Sequence, residues 1–67
     1  MAIIIHNTFT GKYISDYDEF DGLRVYWTKD KNKAMRFCGG FPASTFKYYF
    51  AAKKAEGHKF RKEEVKE

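Results

Sequence analysis

The segment "AIIIHNTFTGKYISD", residues 2–16, predicts a β-hairpin around which the rest of the chain can be arranged. Residues 2–7 are rich in β-branched side chains, which favour a short strand that is buried on at least one face. Gly11 can adopt the positive φ that a tight turn requires, and residues 12–16 then return as a second strand. An antiparallel sheet is therefore expected.

A third strand is indicated by "LRVYWT", residues 23–28. Leu23, Val25 and Trp27 fall on one face of such a strand, and Arg24 and Tyr26 fall on the other. This period of two is typical of an antiparallel strand that packs one face against a core and leaves the other in solvent.

A first helix is expected over residues 29–38, because Thr28 and Asp30 suit its first turn. Gly39 and Gly40 would end this helix, since glycine readily takes the left-handed conformation found past the last turn. The stripe that faces the sheet would consist of Ala34, Phe37 and Cys38.

A second helix should begin at Pro42, run to about Glu56 and stop at Gly57. Residues 58–66 could add a short edge strand, with residues 64–67 as a charged tail. The predicted class is α+β, a small antiparallel sheet in the order β-β-β-α-α-β with two helices packed on one face. The buried set should contain Leu23, Val25, Trp27, Ala34, Phe37 and Phe50, with Ile3 and Ile5 or Ile4 on the same face.

Chain length and cysteine content limit what the protein can be. The 67 residues form a single domain, spanning residues 1–67. Cys38 is the only cysteine, so no internal disulfide can form and the cytoplasm is the expected compartment. The N-terminal "MAIIIHNTF" lacks the basic start of a signal peptide, and no apolar run is long enough for a membrane span.

The second helix carries the strongest candidate for a binding surface. On a helical wheel its apolar arc is wider than the stripe that a helix needs in order to lie on one sheet. Part of this arc is therefore expected to face solvent beside lysines, as interface residues do. The candidate partner-binding residues are Lys47, Tyr48, Tyr49, Lys53 and Lys54, with Arg24 and Tyr26 on the uncovered sheet face as further candidates.

Enzymatic chemistry is not expected. The acidic segment "DYDEFDG", residues 16–22, does not keep the register of a calcium loop. Cys38 as a nucleophile would need a histidine base, and no motif places His6 or His58 beside it. One cysteine and two separated histidines also lack the spacing of a metal site. No catalytic residue, metal ligand or cofactor is predicted.

Direct nucleic-acid binding is the alternative function. Residues 23–54 carry eight basic side chains and one acidic one, together with most of the aromatic residues. Such a segment could neutralise phosphates and stack on bases. It nevertheless contains no RRM, KH or zinc-finger pattern.

The hairpin and the strand-to-helix junction resemble those of small bacteriophage-encoded accessory proteins. The resemblance covers about residues 3–38 and rests on Gly11, Lys12, Tyr13, Trp27, Thr28, Asp30, Ala34 and Phe37. It implies a non-enzymatic protein of the bacterial cytoplasm that binds and inhibits a host protein or nucleoprotein complex, for example a CRISPR defence complex. A homodimer that uses the second helix is the other assembly we expect.

Overall fold

The computed structural model describes residues 2–20 and 22–65 of the chain. Five strands form one antiparallel sheet, with one α-helix packed on it. In chain order the elements are β1 (Ala2–Asn7), β2 (Lys12–Asp18), β3 (Arg24–Thr28), a 3-10 turn (Lys31–Lys33), β4 (Phe37–Cys38), α1 (Ala43–Ala55) and β5 (Phe60–Val65). The α+β class is confirmed, but the described residues contain one α-helix where two were expected.

β1 is the central strand and has three partners. β5 pairs with β1 along its whole length, and β3 extends the sheet beyond β2. The second edge of β1 is divided between two strands. β2 pairs with its C-terminal end at His6 and Asn7, and β4 pairs with its N-terminal end at Ala2 and Ile3.

The predicted hairpin is confirmed, with β2 two residues longer than expected. Gly11 has a φ of 75°, and its amide donates a hydrogen bond to the Asn7 carbonyl (2.8 Å). The Asn7 side chain completes the turn, because its Oδ1 accepts hydrogen bonds from the amides of Phe9 (3.0 Å) and Thr10 (3.3 Å). Glycine is required here since other residues rarely adopt a positive φ.

The expected helix over residues 29–38 is wrong. Thr28 Oγ1 accepts a hydrogen bond from the Asp30 amide (3.1 Å), and the Asp30 carboxylate accepts one from the Asn32 amide (2.9 Å). These are the capping residues that the sequence suggested, but they start only the 3-10 turn. Ala34 already has an extended backbone, with φ −64° and ψ 138°.

After this turn the chain forms backbone hydrogen bonds with the sheet. The Met35 amide donates a hydrogen bond to the Ile14 carbonyl of β2 (2.8 Å), and Phe37 then pairs with Ile3 of β1. The spacing of Ala34 and Phe37 is helical, yet backbone hydrogen bonds to the sheet override that local preference.

α1 agrees with the second predicted helix. It begins directly after Pro42 and ends at Ala55. Gly57 has a φ of 100°, and its amide donates to the Lys54 carbonyl (3.0 Å), so the helix stops where expected.

Phe46 is the centre of the core. It is fully buried, and its ring lies 4.9 Å from that of Phe41, 5.0 Å from that of Tyr17 and 5.4 Å from that of Phe50. Aromatic pairs at such distances contribute about 0.5–1.5 kcal/mol each beyond their burial. This ring therefore holds α1 onto the sheet.

The predicted core is largely confirmed, although several of its members are only half-buried. Ile5 and Phe37 are buried in the core cluster, and Ala34 is buried as well. Of the two alternatives for β1, Ile3 and Ile5 share the helix-facing side, whereas Ile4 faces the other way. The alternation of β3 is as expected, because Arg24 and Tyr26 are exposed. The half-buried members, which pack against the core, are Ile3, Leu23, Val25, Trp27 and Phe50.

The sheet face opposite α1 is covered by the segment that replaces the first helix. Ile4 lies on this face and is only 1% exposed. On the same face, Glu63 Oε2 lies 2.8 Å from His6 Nδ1, and Glu63 Oε1 lies 3.4 Å from Lys31 Nζ. The 3-10 turn thus forms an ion pair with β5. This second face is covered over the central strand β1, but it stays open at Arg24 and Tyr26 of β3.

The C-terminal residues extend the sheet. β5 is an edge strand, and it includes Glu64 and Val65, which were assigned to a charged tail. The rest of that tail, residues 66–67, lies outside the described residues. Within the described part of the chain, no helix is long and apolar enough to cross a membrane.

Replacing Phe46 by leucine should destabilise the fold. We expect Phe46→Leu to lower the free energy of unfolding by about 2 kcal/mol, because the smaller side chain leaves part of the aromatic cluster unfilled. Urea denaturation measures this change. Phe20→Leu is the matched control, since Phe20 is 86% exposed and its replacement should cost no more than about 0.5 kcal/mol. Equal losses in both variants would contradict the central role of Phe46.

Glu63 should make stability depend on pH. Burial raises the pKa of Glu63, but hydrogen bonds from Lys31 and His6 and their charges outweigh burial and lower the pKa below its usual value. The stabilisation is complete above the ordinary glutamate pKa of about 4.3 and is lost as the pH falls through the lower folded-state pKa.

We expect Glu63→Gln to cost about 1 kcal/mol at neutral pH. The difference from the parent protein should shrink toward zero once the pH lies below the folded-state pKa of Glu63, where the carboxyl is protonated in both states. Denaturation curves at neutral pH and at that acidic pH measure it. Glu64→Gln removes the same charge from the neighbouring, exposed position and should have little effect at either pH.

Candidate functional site

The predicted partner-binding residues do not form one surface. Tyr48 and Lys54 lie on the exposed side of α1, whereas Tyr49 and Lys53 are half-buried on the side that meets the sheet edge. Arg24 and Tyr26, the remaining candidates, lie on the sheet face opposite the helix. Three separate regions must therefore be considered.

The outer face of α1 holds three of the predicted residues, Lys47, Tyr48 and Lys54. It comprises exposed residues only, namely Ser44, Lys47, Tyr48, Ala51, Ala52, Lys54 and Ala55. The Tyr48 side chain is 81% exposed, and Lys47 Nζ lies 5.9 Å from the centre of its ring. No acidic residue occurs anywhere in α1, so the face carries a positive charge around an aromatic side chain.

A shallow trough of about 430 Å³ runs along one side of this face. It is lined by Phe50 and by small residues, namely Ala43, Ser44 and Ala51, together with Lys47 and Lys54. Small side chains allow another backbone to approach closely, and the half-buried Phe50 ring supplies an apolar contact. The trough can therefore accept an apolar side chain with a negative charge beside it.

Tyr49 has a structural role that the helical wheel did not show. Its ring contacts those of Phe46 and Phe50, and its Oη accepts a hydrogen bond from Trp27 Nε1 (3.4 Å). Lys53 Nζ lies 5.7 Å from the centre of the same ring. Tyr49 and Lys53 thus belong to the contact between α1 and the sheet, and not to the outer face.

Tyr49 and Lys53 also border a small pocket of about 120 Å³, which we call the lysine pocket. It opens between α1 and the strand ends. The residues that line it are Thr10, Lys12, Trp27, Tyr49, Lys53 and His58, with the buried Asn7 beside them. Sequence reasoning missed this pocket because its side chains come from four distant segments of the chain.

Arg24 and Tyr26 form a weaker candidate surface. Tyr26 is 49% exposed, but Asp16 is its cross-strand neighbour and Asp18 is that of Arg24. Carboxylates at paired positions reduce the positive character of this sheet face.

Two exposed aromatic residues were not predicted. Phe9, in the β1–β2 turn, is 62% exposed and its ring lies 5.1 Å from that of His58. Phe20, in the acidic loop, is 86% exposed. The only sign of their exposure in the sequence was that each lies in a turn with polar neighbours.

The residues considered for catalysis remain apart. Cys38 pairs with Ala2 at one end of β1, whereas His6 lies four residues along that strand, roughly 13 Å away. Within residues 2–20 and 22–65, no three side chains of the metal-binding types cluster together. Asp18 Oδ1 accepts a hydrogen bond from the Phe20 amide (2.8 Å), so that carboxylate supports its own loop.

Comparison with protein-family models, with curated proteins and with solved structures found no match to this chain. Its function is accordingly inferred from the surfaces described above.

Proposed function

We propose that the protein is a non-enzymatic binding protein that associates stoichiometrically with an acidic protein surface through the outer face of α1. The observation that carries this proposal is the exposure of Tyr48 among alanines and lysines. Solvent-exposed tyrosine on a rigid helix is a common centre of binding energy, because its ring buries a large area at low entropic cost.

Charge supports an acidic partner. Lys47 and Lys54 line the trough, and α1 contains no carboxylate that could neutralise them. An acidic partner would gain complementary charge at the rim while its apolar side chains covered Tyr48 and the alanines. Such an arrangement has an apolar centre and a polar edge, as stable interfaces do.

The distribution of the other basic residues favours a protein partner over nucleic acid. Arg24 lies on the opposite sheet face, and Lys31 is engaged with Glu63. A nucleic-acid site would be supported by a continuous basic stripe along one face. The basic side chains of residues 23–54 are instead divided among several faces.

The resemblance to bacteriophage accessory proteins suggests the class of partner. In this proposal the partner is a host protein or nucleoprotein complex, and binding inhibits it by covering a functional surface. One face of about 800 Å² is sufficient for such an interaction.

Tyr48→Ala tests the proposal. We expect capture of the partner from nuclease-treated bacterial lysate to fall at least tenfold, since removal of an interface tyrosine costs about 2 kcal/mol. The free energy of unfolding should change by no more than about 0.5 kcal/mol, because the side chain is largely exposed. Quantitative mass spectrometry of the captured proteins and urea denaturation measure the two effects.

Tyr26→Ala is the matched control and should leave capture unchanged. Loss of capture in Tyr26→Ala alone would move the interface to the sheet face. Binding of random oligonucleotides that weakens steeply with salt, with no protein captured, would favour the nucleic-acid function instead. Self-association that Tyr48→Ala abolishes would identify a second copy of the chain as the occupant.

A further inference from the structure

The lysine pocket is separate from the outer face of α1 and has its own lining residues. Two lysines, Lys12 from β2 and Lys53 from α1, line it together, and no carboxylate does. The nearest acid to Lys53 is Glu56, 3.8 Å away, but the Glu56 side chain is 60% exposed. An exposed pair at that distance is weak, so the pocket keeps its positive charge.

Each side-chain acceptor around the pocket already has a donor among the described residues. Asn7 Oδ1 accepts from two turn amides, which leaves Asn7 Nδ2 to donate to His58 Nδ1 (2.9 Å). An amide nitrogen can only donate, so His58 Nδ1 is an acceptor and the ring hydrogen lies on Nε2. The Thr10 hydroxyl oxygen accepts from the Lys12 amide (3.3 Å).

Several donors remain available. Tyr49 Oη accepts from Trp27, and its own hydrogen is donated to no acceptor within the described residues. The Thr10 hydroxyl hydrogen likewise has no acceptor within the described residues. Each lysine ammonium offers up to three donors. The pocket thus presents donors and positive charge with its acceptors engaged, which is the arrangement that an anion requires.

We propose that the lysine pocket binds a phosphate group. Its volume of about 120 Å³ is close to that of a cavity that holds one benzene-sized molecule, roughly 150 Å³, and so admits a tetrahedral anion but not a whole nucleotide. Donors from three directions, namely the β1–β2 turn, β2 and α1, match the several oxygens of a phosphate. The phosphate is either free or carried by a larger molecule whose remainder lies outside the pocket.

Fluorescence of Trp27 tests the site directly, because it is the only tryptophan and it lines the pocket. Inorganic phosphate is titrated at constant ionic strength, with chloride as the reference anion. We expect a saturable change with phosphate and none with chloride. Lys12→Gln and Lys53→Gln should each weaken binding about tenfold, the usual effect of losing one charge-assisted hydrogen bond.

Lys54→Gln is the matched control. It removes the same charge from the neighbouring helix position, outside the pocket, and should weaken binding less than twofold. Tyr49→Phe keeps the ring packing but removes a donor to the anion and also the acceptor of Trp27 Nε1. It should weaken binding, and its titration is compared with its own fluorescence before phosphate is added. The unfolding midpoint of each variant is measured, and Tyr49→Phe decides the matter where a lysine variant is destabilised. A signal that does not saturate, or equal weakening in Lys54→Gln and Lys53→Gln, would overturn the proposal.

Two further titrations identify the source of the phosphate. Adenosine 5′-monophosphate tests a phosphomonoester, and a short oligothymidylate tests a backbone phosphodiester. Tighter binding of either one than of inorganic phosphate, with the same dependence on Lys12, supports the site and names its source. Binding of the oligonucleotide that is unaffected by Lys12→Gln contradicts the site.

Discussion

A strand that is buried on both faces must have the backbone hydrogen bonds of both its edges satisfied by protein, and β1 is such a strand. β5 covers one edge completely, but β2 pairs only with the C-terminal end of the other. The remaining part of that edge, at Ala2 and Ile3, pairs with Phe37 and Cys38, which form β4. This requirement explains why residues 29–38 do not form a helix and why their loop crosses the second face of the sheet.

The position of α1 follows from the same sheet. β1 and β2 present Ile5, Ile14 and Tyr17 toward the helix, and Phe46 fills the space between them. The aromatic contacts around Phe46 involve one side of α1 and leave Tyr49 and Phe50 half-buried. The rest of the helix has nothing left to cover it, and the exposure of Tyr48 results directly from how small the sheet is.

Local patterns were sufficient to predict the hairpin, β3 and α1. Gly11 marks the turn, the alternation of Leu23, Val25 and Trp27 marks the strand, and Pro42 and Gly57 bound the helix. These signals depend only on neighbouring residues. They were reliable because none of them conflicts with the tertiary structure.

The remaining features depend on residues that are distant in the chain. Of the predicted stripe, Ala34 and Phe37 are buried as expected, but Cys38 is exposed. The predicted helix is wrong because Phe37 and Cys38 pair with the edge of β1 instead. The wheel left both Tyr48 and Tyr49 as candidates, and it is the contacts of Tyr49 with Phe46, Phe50 and Trp27 that cover this residue and leave Tyr48 exposed. The lysine pocket could not be predicted at all, because it requires the hairpin turn, α1 and His58 to meet.

The pairing of β1 with β5 has a consequence for biosynthesis. These strands join the first and last parts of the described chain, so that His6 and Glu63 make contact across 57 residues of sequence. During translation, β1 leaves the ribosome long before its longest partner does. Until then the edge of β1 that pairs with β5 stays open to solvent, to chaperones and to other nascent chains. The domain must therefore complete its folding after residue 65 has been synthesised, and a chain that ends before β5 should aggregate instead of forming a smaller stable fold.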